Sequence, residues 1–267
     1  MLLRAVEYER PASVADALRL LAENDNARAL AGGQTIINVM KQRAAAPDVL
    51  VDLADLEELT PIVATSEGGL ELGAMSTLAQ LIDSDEVAEQ RPILADVASR
   101  IADVQVRNRG TVGGNVCSND PTNHLPPLAA ALGATMTIVS QSGERSVPAE
   151  DFFLGVYMTA VGPGELLTKI SIPPRGGTGD AFASVAVGRD GTGIVNVAAT
   201  VNGQARIAIG CVSAVPVLVE SDPAEDSVRE AVRGAGLDPP SDVHASAEYR
   251  RHLAEVLAVR AVREALG

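Results

Sequence analysis

The sequence predicts an α+β protein in two parts. An N-terminal α/β region is followed by a smaller part with three antiparallel strand-like runs and two closing helices. Three observations carry this. Near the N-terminus, apolar strands at 28–31 and 48–53 flank a glycine loop and a helical stretch, the order of a β-α-β unit with parallel strands. Late in the chain, strand-like runs at 195–201 and 204–212 flank Asn202-Gly203, a strong short hairpin signal. Between the two parts lies Pro173-Pro174-Arg175-Gly176-Gly177-Thr178-Gly179, poor in apolar residues and suited to a linker.

In chain order, Ser13 is a helix cap with Asp16 at the reciprocal position, and Val14, Ala17, Leu18 and Leu21 share one face. Residues 24–26 end that helix. Residues 28–31 feed Gly32-Gly33, and 35–43 is helical. Residues 69–74 read as a strand, Thr77 as a cap, and 77–83 and 92–103 as helices. Residues 135–140 alternate as a strand before a turn at Ser142-Gly143, and 165–172 form another strand ending at Pro173. Residues 182–187 open the second sheet, and helices at about 223–234 and 246–265 close the chain.

With 267 residues the chain can bury a sizeable core. It has no Trp, three Phe and three Tyr, so that core is Ala, Val, Leu and Ile. Stacking platforms for single-stranded nucleic acid need more aromatics. A formal charge of −14 argues against nucleic acid and anionic membranes. The two cysteines, Cys117 and Cys211, are too few for an iron–sulfur cluster, which usually takes four thiolates. No metal-ligand cluster or catalytic triad signature is legible. The first ten residues carry Arg4, Glu7, Glu9 and Arg10 and lack a signal-peptide apolar core. The apolar run at 125–139 is broken by Pro126, Pro127 and Gly133 and is too short to span a bilayer. A cytoplasmic protein is expected.

The chemistry concentrates in two glycine loops. In Val106-Arg107-Asn108-Arg109-Gly110-Thr111-Val112-Gly113-Gly114-Asn115-Val116, three glycines fall within five residues. Ala31-Gly32-Gly33-Gln34-Thr35 has the same character. Glycine permits positive φ and close approach of a ligand to the backbone, and such loops can turn several N–H groups toward one anion. Two of them suit a diphosphate held between lobes. Read alone, each is first a tight turn, and neither matches a known phosphate loop.

The two loops together resemble the FAD-binding medium subunit of the molybdenum hydroxylases, the xanthine dehydrogenase and carbon monoxide dehydrogenase group. The resemblance rests on Ala-Gly-Gly-Gln-Thr and on Arg-Asn-x-Gly-Thr-Val-Gly-Gly-Asn. It extends through KQRAAAPDVLVDL at 41–53, Ile170-Ser171-Ile172-Pro173 and the run at 246–253, nearly the whole chain. It implies a PCMH-type FAD-binding domain of two α/β lobes over about 1–174, divided near 55 and 56, then a C-terminal flavoprotein domain over about 178–267 with a three-stranded antiparallel sheet packed on helices. It implies non-covalent FAD contacts from Ala29, Leu30, Ala31, Gly32, Gly33, Gln34, Thr35 and Ile36, and from Thr111, Val112, Gly113, Gly114 and Asn115. Leu167 matches a position packed near the flavin, with plain strand core as the other reading.

The chain departs from the family pattern twice. The family usually carries an acidic residue nine positions after that asparagine, where this chain has His124. His124 substitutes for it, or Asp120 or Asn123 takes the contact, or His124 is a solvent-facing loop residue. Many relatives also carry Lys or Glu and then paired arginines after the first strand of the C-terminal domain. Here Ser184, Val187 and Gly188 occupy that stretch and Arg189 is displaced. Cys117 and His124 lie near enough to the second loop to raise covalent flavin as an alternative.

The function implied is an electron-transfer subunit. A large subunit would hold molybdopterin, and a small subunit two [2Fe–2S] clusters. The flavin would pass electrons to NAD, a quinone, oxygen or another acceptor, in a dimer of heterotrimers. No residue of this chain is expected to be catalytic. A stand-alone FAD-dependent oxidase or dehydrogenase is the alternative, as is a non-catalytic assembly subunit that has lost FAD.

Overall fold

A computed structural model describes residues 2–188 and 192–267. Its elements fall into three layers built on three sheets, with a small separate hairpin.

The first layer holds β1 (Glu7–Glu9), α1 (Val14–Glu23), β2 (Ala27–Leu30), α2 (Ile36–Lys41) and β3 (Val49–Asp52). Both β1 and β2 pair with β3 in parallel, so the expected β-α-β unit is present with one more strand. The Ser13 hydroxyl accepts the Asp16 N–H at 3.1 Å. The reciprocal bond expected from Asp16 is not formed among the described residues, and its carboxylate lies 3.8 Å from Arg19 instead. Ala17, Leu18 and Leu21 face the sheet, as their spacing on one helical face requires.

The second layer begins with a single 3-10 turn and continues through β4 (Ile62–Ala64) and β5 (Leu70–Gly73) into a run of helices. These are α3 (Leu78–Asp83), α4 (Asp85–Gln90), α5 (Ile93–Ser99), α6 (Val104–Arg107), α7 (Val112–Ser118) and α8 (Leu125–Ala131). Then come β6 (Thr135–Ser140), β7 (Gly143–Pro148), α9 (Ala149–Phe152), β8 (Phe153–Gly155), β9 (Met158–Thr159) and β10 (Leu166–Ile172). The sheet runs β4-β5-β10-β6-β7, antiparallel throughout. The helix expected over 92–103 stops at Ser99. Ala102 turns left-handed (φ 46°) and Asp103 caps the next helix through the Val106 N–H. The prolines at 126 and 127 do not break α8; they occupy its first turn, where a missing N–H costs nothing.

The third layer holds β11 (Gly179–Ala186), β12 (Gly193–Asn202), β13 (Gln204–Gly210), β14 (Val217–Ser221), α10 (Glu225–Gly234) and α11 (Ala247–Leu266). Its antiparallel sheet has four strands, not the expected three. The addition is β14, a part-exposed edge strand that follows Pro216 and pairs with β13. At the expected hairpin Asn202 pairs with Gln204, which leaves Gly203 (φ 73°) alone at the apex. Leu253, Leu257, Ala258, Ala261, Val262 and Ala265 of α11 recur at helical spacing and are buried, and α11 lies across β11 and β12.

The second and third layers are joined by polar side chains as well as apolar packing. Arg91, at the end of α4, pairs with Asp180 of β11 at 2.9 Å, with both side chains at most 4 % exposed. Arg100 donates to the Phe182 carbonyl at 3.0 Å, and α8 packs on β12 and β13. Arg189, named in the second departure above, lies outside the described residues.

Candidate functional site

The two glycine loops, far apart in sequence, meet. A β-carbon on Gly32 would stand 2.0 Å from the Arg109 carbonyl oxygen and 2.9 Å from the Gly110 Cα. A β-carbon on Gly114 would lie 3.4 Å from the Ala31 Cβ and 2.8 Å from the Thr111 hydroxyl. The approach at Gly32 is open only to glycine, and at Gly114 it is the Thr111 hydroxyl that leaves no room for a side chain. They bring the end of β2 against the start of α7.

The first loop is rich in unspent donors. Ala29 and Leu30 end β2 opposite Val51 and Asp52, and Ile36 starts α2. Between them Gly33 turns left-handed (φ 73°), and the Gln34 amide folds back onto the Gly32 carbonyl at 3.2 Å. Among the described residues, the backbone N–H groups of Gly32, Gly33, Gln34 and Thr35 meet no protein acceptor. Unpaired N–H groups on one short loop are the donor set an anion needs.

The second loop contributes differently from the expectation that it too presents N–H groups. Val112, Gly113 and Asn115 donate theirs to Ser76, Ala74 and Thr111 at 2.8–3.0 Å. Gly114 donates to the Thr111 hydroxyl at 3.0 Å, the cap that starts α7. What remains is the Thr111 N–H, which meets no protein acceptor among the described residues, and the Asn115 side chain, whose amide oxygen is buried with no partner. A buried acceptor without a donor costs free energy unless a ligand hydroxyl or N–H completes it. Arg107 is likewise spent, on the Ile101 and Ala102 carbonyls. Neither loop carries an acidic side chain, which matters for an anion approaching a chain of charge −14.

His124 is not a solvent-facing loop residue. It is 8 % exposed, packed on Phe182 with ring centroids 5.2 Å apart, and its Nδ1 faces the Asn196 amide at 3.3 Å. Burial pulls its pKa down to about 4, so the ring is neutral. The other two candidates for that contact are also engaged. Asp120 accepts from Thr122 and from the Tyr157 hydroxyl, and Asn123 donates to the Asn115 carbonyl at 3.0 Å and to Ser118 at 2.9 Å.

Leu167 is 5 % exposed in the core of the second layer, beside a bulge at Thr168. The Thr168 carbonyl accepts from Ala74, and the Ala74 carbonyl from Gly113, so this strand backs the second loop directly. Burial pushes the Cys117 and Cys211 thiols up to about 12, and neither is a ready nucleophile for covalent flavin.

A separate cleft of about 290 Å³ lies at the seam of the second and third layers. Its arginines are already used, Arg91 on Asp180 and Arg206 on Glu150 and Glu220, so it offers an anion no spare charge. Among the described residues no group of three His, Cys, Asp or Glu side chains is placed to hold a metal.

A free N–H loop, an orphaned amide oxygen and a cradle only glycine allows together fit a dinucleotide diphosphate. Comparison with known proteins agrees. The family model described as the FAD binding domain in molybdopterin dehydrogenase matches residues 4–175. The chain belongs to this family. A second model, the CO dehydrogenase flavoprotein C-terminal domain, matches residues 179–265. This medium subunit is 39 % identical to the carbon monoxide dehydrogenase medium chain of Afipia carboxidovorans, over 97 % of this chain and 96 % of that one. It is 34 % identical to the nicotine 6-hydroxylase medium subunit of Paenarthrobacter nicotinovorans, over 99 % of both. A solved structure titled reconstituted CO dehydrogenase from Oligotropha carboxidovorans superposes with a TM-score of 0.93 at 37 % identity, covering 99 % of both chains. Quinoline 2-oxidoreductase from Pseudomonas putida 86 gives 0.92 at 35 %, over 99 % of this chain and 98 % of that one. The names of these relatives span three unlike substrates. Family membership therefore carries the flavin chemistry and no substrate. This chain is an FAD subunit of a molybdenum-dependent oxidoreductase.

Sequence reasoning missed two residues of the site's frame, Ala74 and Asn196. Only Asn196 left a signal, as a lone amide inside the apolar run of β12.

Proposed function

We propose that this chain holds FAD non-covalently between its two glycine loops and relays electrons from [2Fe–2S] clusters in a small partner subunit to NAD or another acceptor. The meeting of Gly32 with Arg109 carries the reading, because it fixes an unspent N–H loop beside the Asn115 amide. FAD, when bound, supplies two-electron storage between one-electron donors and an acceptor.

The chain's own residues bind and orient. Gly32, Gly33, Gln34 and Thr35 donate N–H groups to the diphosphate. Thr111, Val112, Gly113 and Gly114 set the shape of the facing wall. Asn115 accepts from a hydroxyl or N–H of the cofactor. Ala29 to Ala31 and Ile36 hold the first loop between β2 and α2, and Leu167 backs the wall. His124 serves this site by packing, since its ring is committed to Asn196 and Phe182. None of these side chains needs to act as an acid or base, which suits a relay.

The same reading places the division between domains at about 174–178, with lobes of about 1–55 and 56–174. Its partners are a molybdopterin-binding large subunit and the iron–sulfur small subunit, assembled as a dimer of heterotrimers in the cytoplasm. Two free cysteines and the family of medium subunits support it. Among the described residues no helix is long and apolar enough to cross a membrane.

An absorbance spectrum of the purified full chain, before and after heat or acid release, tests the reading. A flavin spectrum with FAD released to the supernatant is expected. Asn115→Leu should lose the flavin while the protein still melts cooperatively. A folded wild-type chain that stays colourless with added FAD at micromolar concentration would overturn the reading in favour of an assembly subunit. Substrate turnover by the isolated chain would favour a stand-alone oxidase.

A further inference from the structure

Asn196 is the odd residue of β12. It is fully buried in a strand otherwise almost wholly apolar and small. Burying an amide costs free energy unless its hydrogen bonds are made, so an apolar residue would serve the sheet better. The fold nevertheless makes room for it. A β-carbon on Gly210, its cross-strand partner, would stand 2.1 Å from the Asn196 amide oxygen. A β-carbon on Gly193 would lie 3.6 Å from the amide nitrogen, against the Thr122 carbonyl at 3.1 Å.

The amide nitrogen points across the seam to the loop at 119–124. It donates to the Asn123 carbonyl at 3.2 Å and faces the His124 Nδ1 at 3.3 Å. The same loop is tied at Pro121, whose carbonyl accepts the Cys211 N–H at 3.1 Å. Asn123 then turns the other way. Its side chain donates to the Asn115 carbonyl and to the Ser118 hydroxyl, both on α7. A continuous chain of bonds therefore runs from the C-terminal sheet through Asn196 and Asn123 to Asn115.

We propose that Asn196 and Asn123 are positioning residues through which the C-terminal domain holds α7 and its Thr111–Asn115 loop in the shape that receives FAD. The inference rests on the FAD reading above. It gives the C-terminal domain a role in cofactor affinity that runs through these two amides. Neither amide takes part in electron transfer; each acts through Asn115.

The full chain, stripped of flavin, is titrated with FAD for wild type, Asn196→Leu, Asn123→Ala and the double variant. The apo protein's melting temperature and the visible band shape of the bound flavin are recorded alongside. Leucine keeps the branched outline of the amide side chain and removes its bonds, at the cost of somewhat greater bulk; the apo melting temperature separates a folded variant from an overpacked one. Each single variant is expected to bind FAD roughly tenfold more weakly, equivalent to about 1.4 kcal/mol. The double variant should be little worse than either single one, because two links of one chain are not additive. The flavin band of each variant should lose structure, a change that altered stability alone does not produce. Unchanged FAD affinity in both folded single variants, or fully additive losses in the double, would overturn the inference. Should Asn196→Leu fail to fold, Asn123→Ala alone decides, since its side chain bonds only to α7. Failure of the wild-type chain to bind FAD would instead strike the functional reading itself.

Discussion

At the scale of single residues, His124 shows how position in sequence misleads about surroundings. It occupies the position where the family's acidic residue is expected, yet its ring is buried against Phe182 and Asn196. The consequence is a pH dependence of stability. The unfolded histidine takes its proton at its ordinary 6.5, the folded one only at about 4. Between those values the unfolded chain binds more protons, so stability falls as pH drops through that window and is regained as pH rises. The contribution is roughly 3 kcal/mol when fully lost. Chemical denaturation at a series of pH values should show this fall in wild type and a shallower one in His124→Gln; parallel curves for the two would rule it out. Local composition marked His124 as a polar loop residue. Nothing local said that a strand from the other domain would cover it. The Gly-Gly pairs were legible because glycine at a close approach has no substitute, whereas the spent N–H groups of the second loop depend on Ser76 and Ala74, long-range partners that no spacing reveals.

At the scale of elements, the readable ones were those whose pattern is set by burial on one face. β2, β3 and α1 announce themselves through apolar spacing, and β12 and β13 through their turn. β1 did not, since Glu7-Tyr8-Glu9 is an exposed edge whose charges guard against further pairing. β14 lay hidden behind Pro216, and the split of the expected 92–103 helix depends on Arg107 capping two carbonyls. The docking of β2 on α7 gives a sharp test. Gly32→Val would drive a side chain into the Arg109 carbonyl, backbone against backbone, with no flexible group to yield. A loss of at least about 3 kcal/mol, the upper end of overpacking costs, is expected in denaturant titration. A loss below about 1 kcal/mol would mean that the loops part easily.

At the scale of the whole molecule, the seam between the second and third layers rests on a buried ion pair. Burial lowers the Arg91 pKa and raises that of Asp180, so desolvation outweighs attraction at both ends of the pair. Such a pair adds little net stability but is costly to break. Asp180→Ala should lose about 3–5 kcal/mol by stranding Arg91, and Asp180→Asn less; equal melting of the alanine variant and wild type would show the seam to be held by apolar packing alone. The close contact at Gly32 also bears on descent within such a family. Under the proposed FAD reading that glycine answers to two masters, the docking of the two loops and the cofactor, so a lineage that gave up its flavin would keep it for the first reason alone. The buried amide oxygen of Asn115 has no such second duty. Freed from a ligand, it is a burden that drift would remove. In a set of diverging sequences, position 115 rather than the Gly-Gly pair would be the place where a silenced flavoprotein first betrays itself.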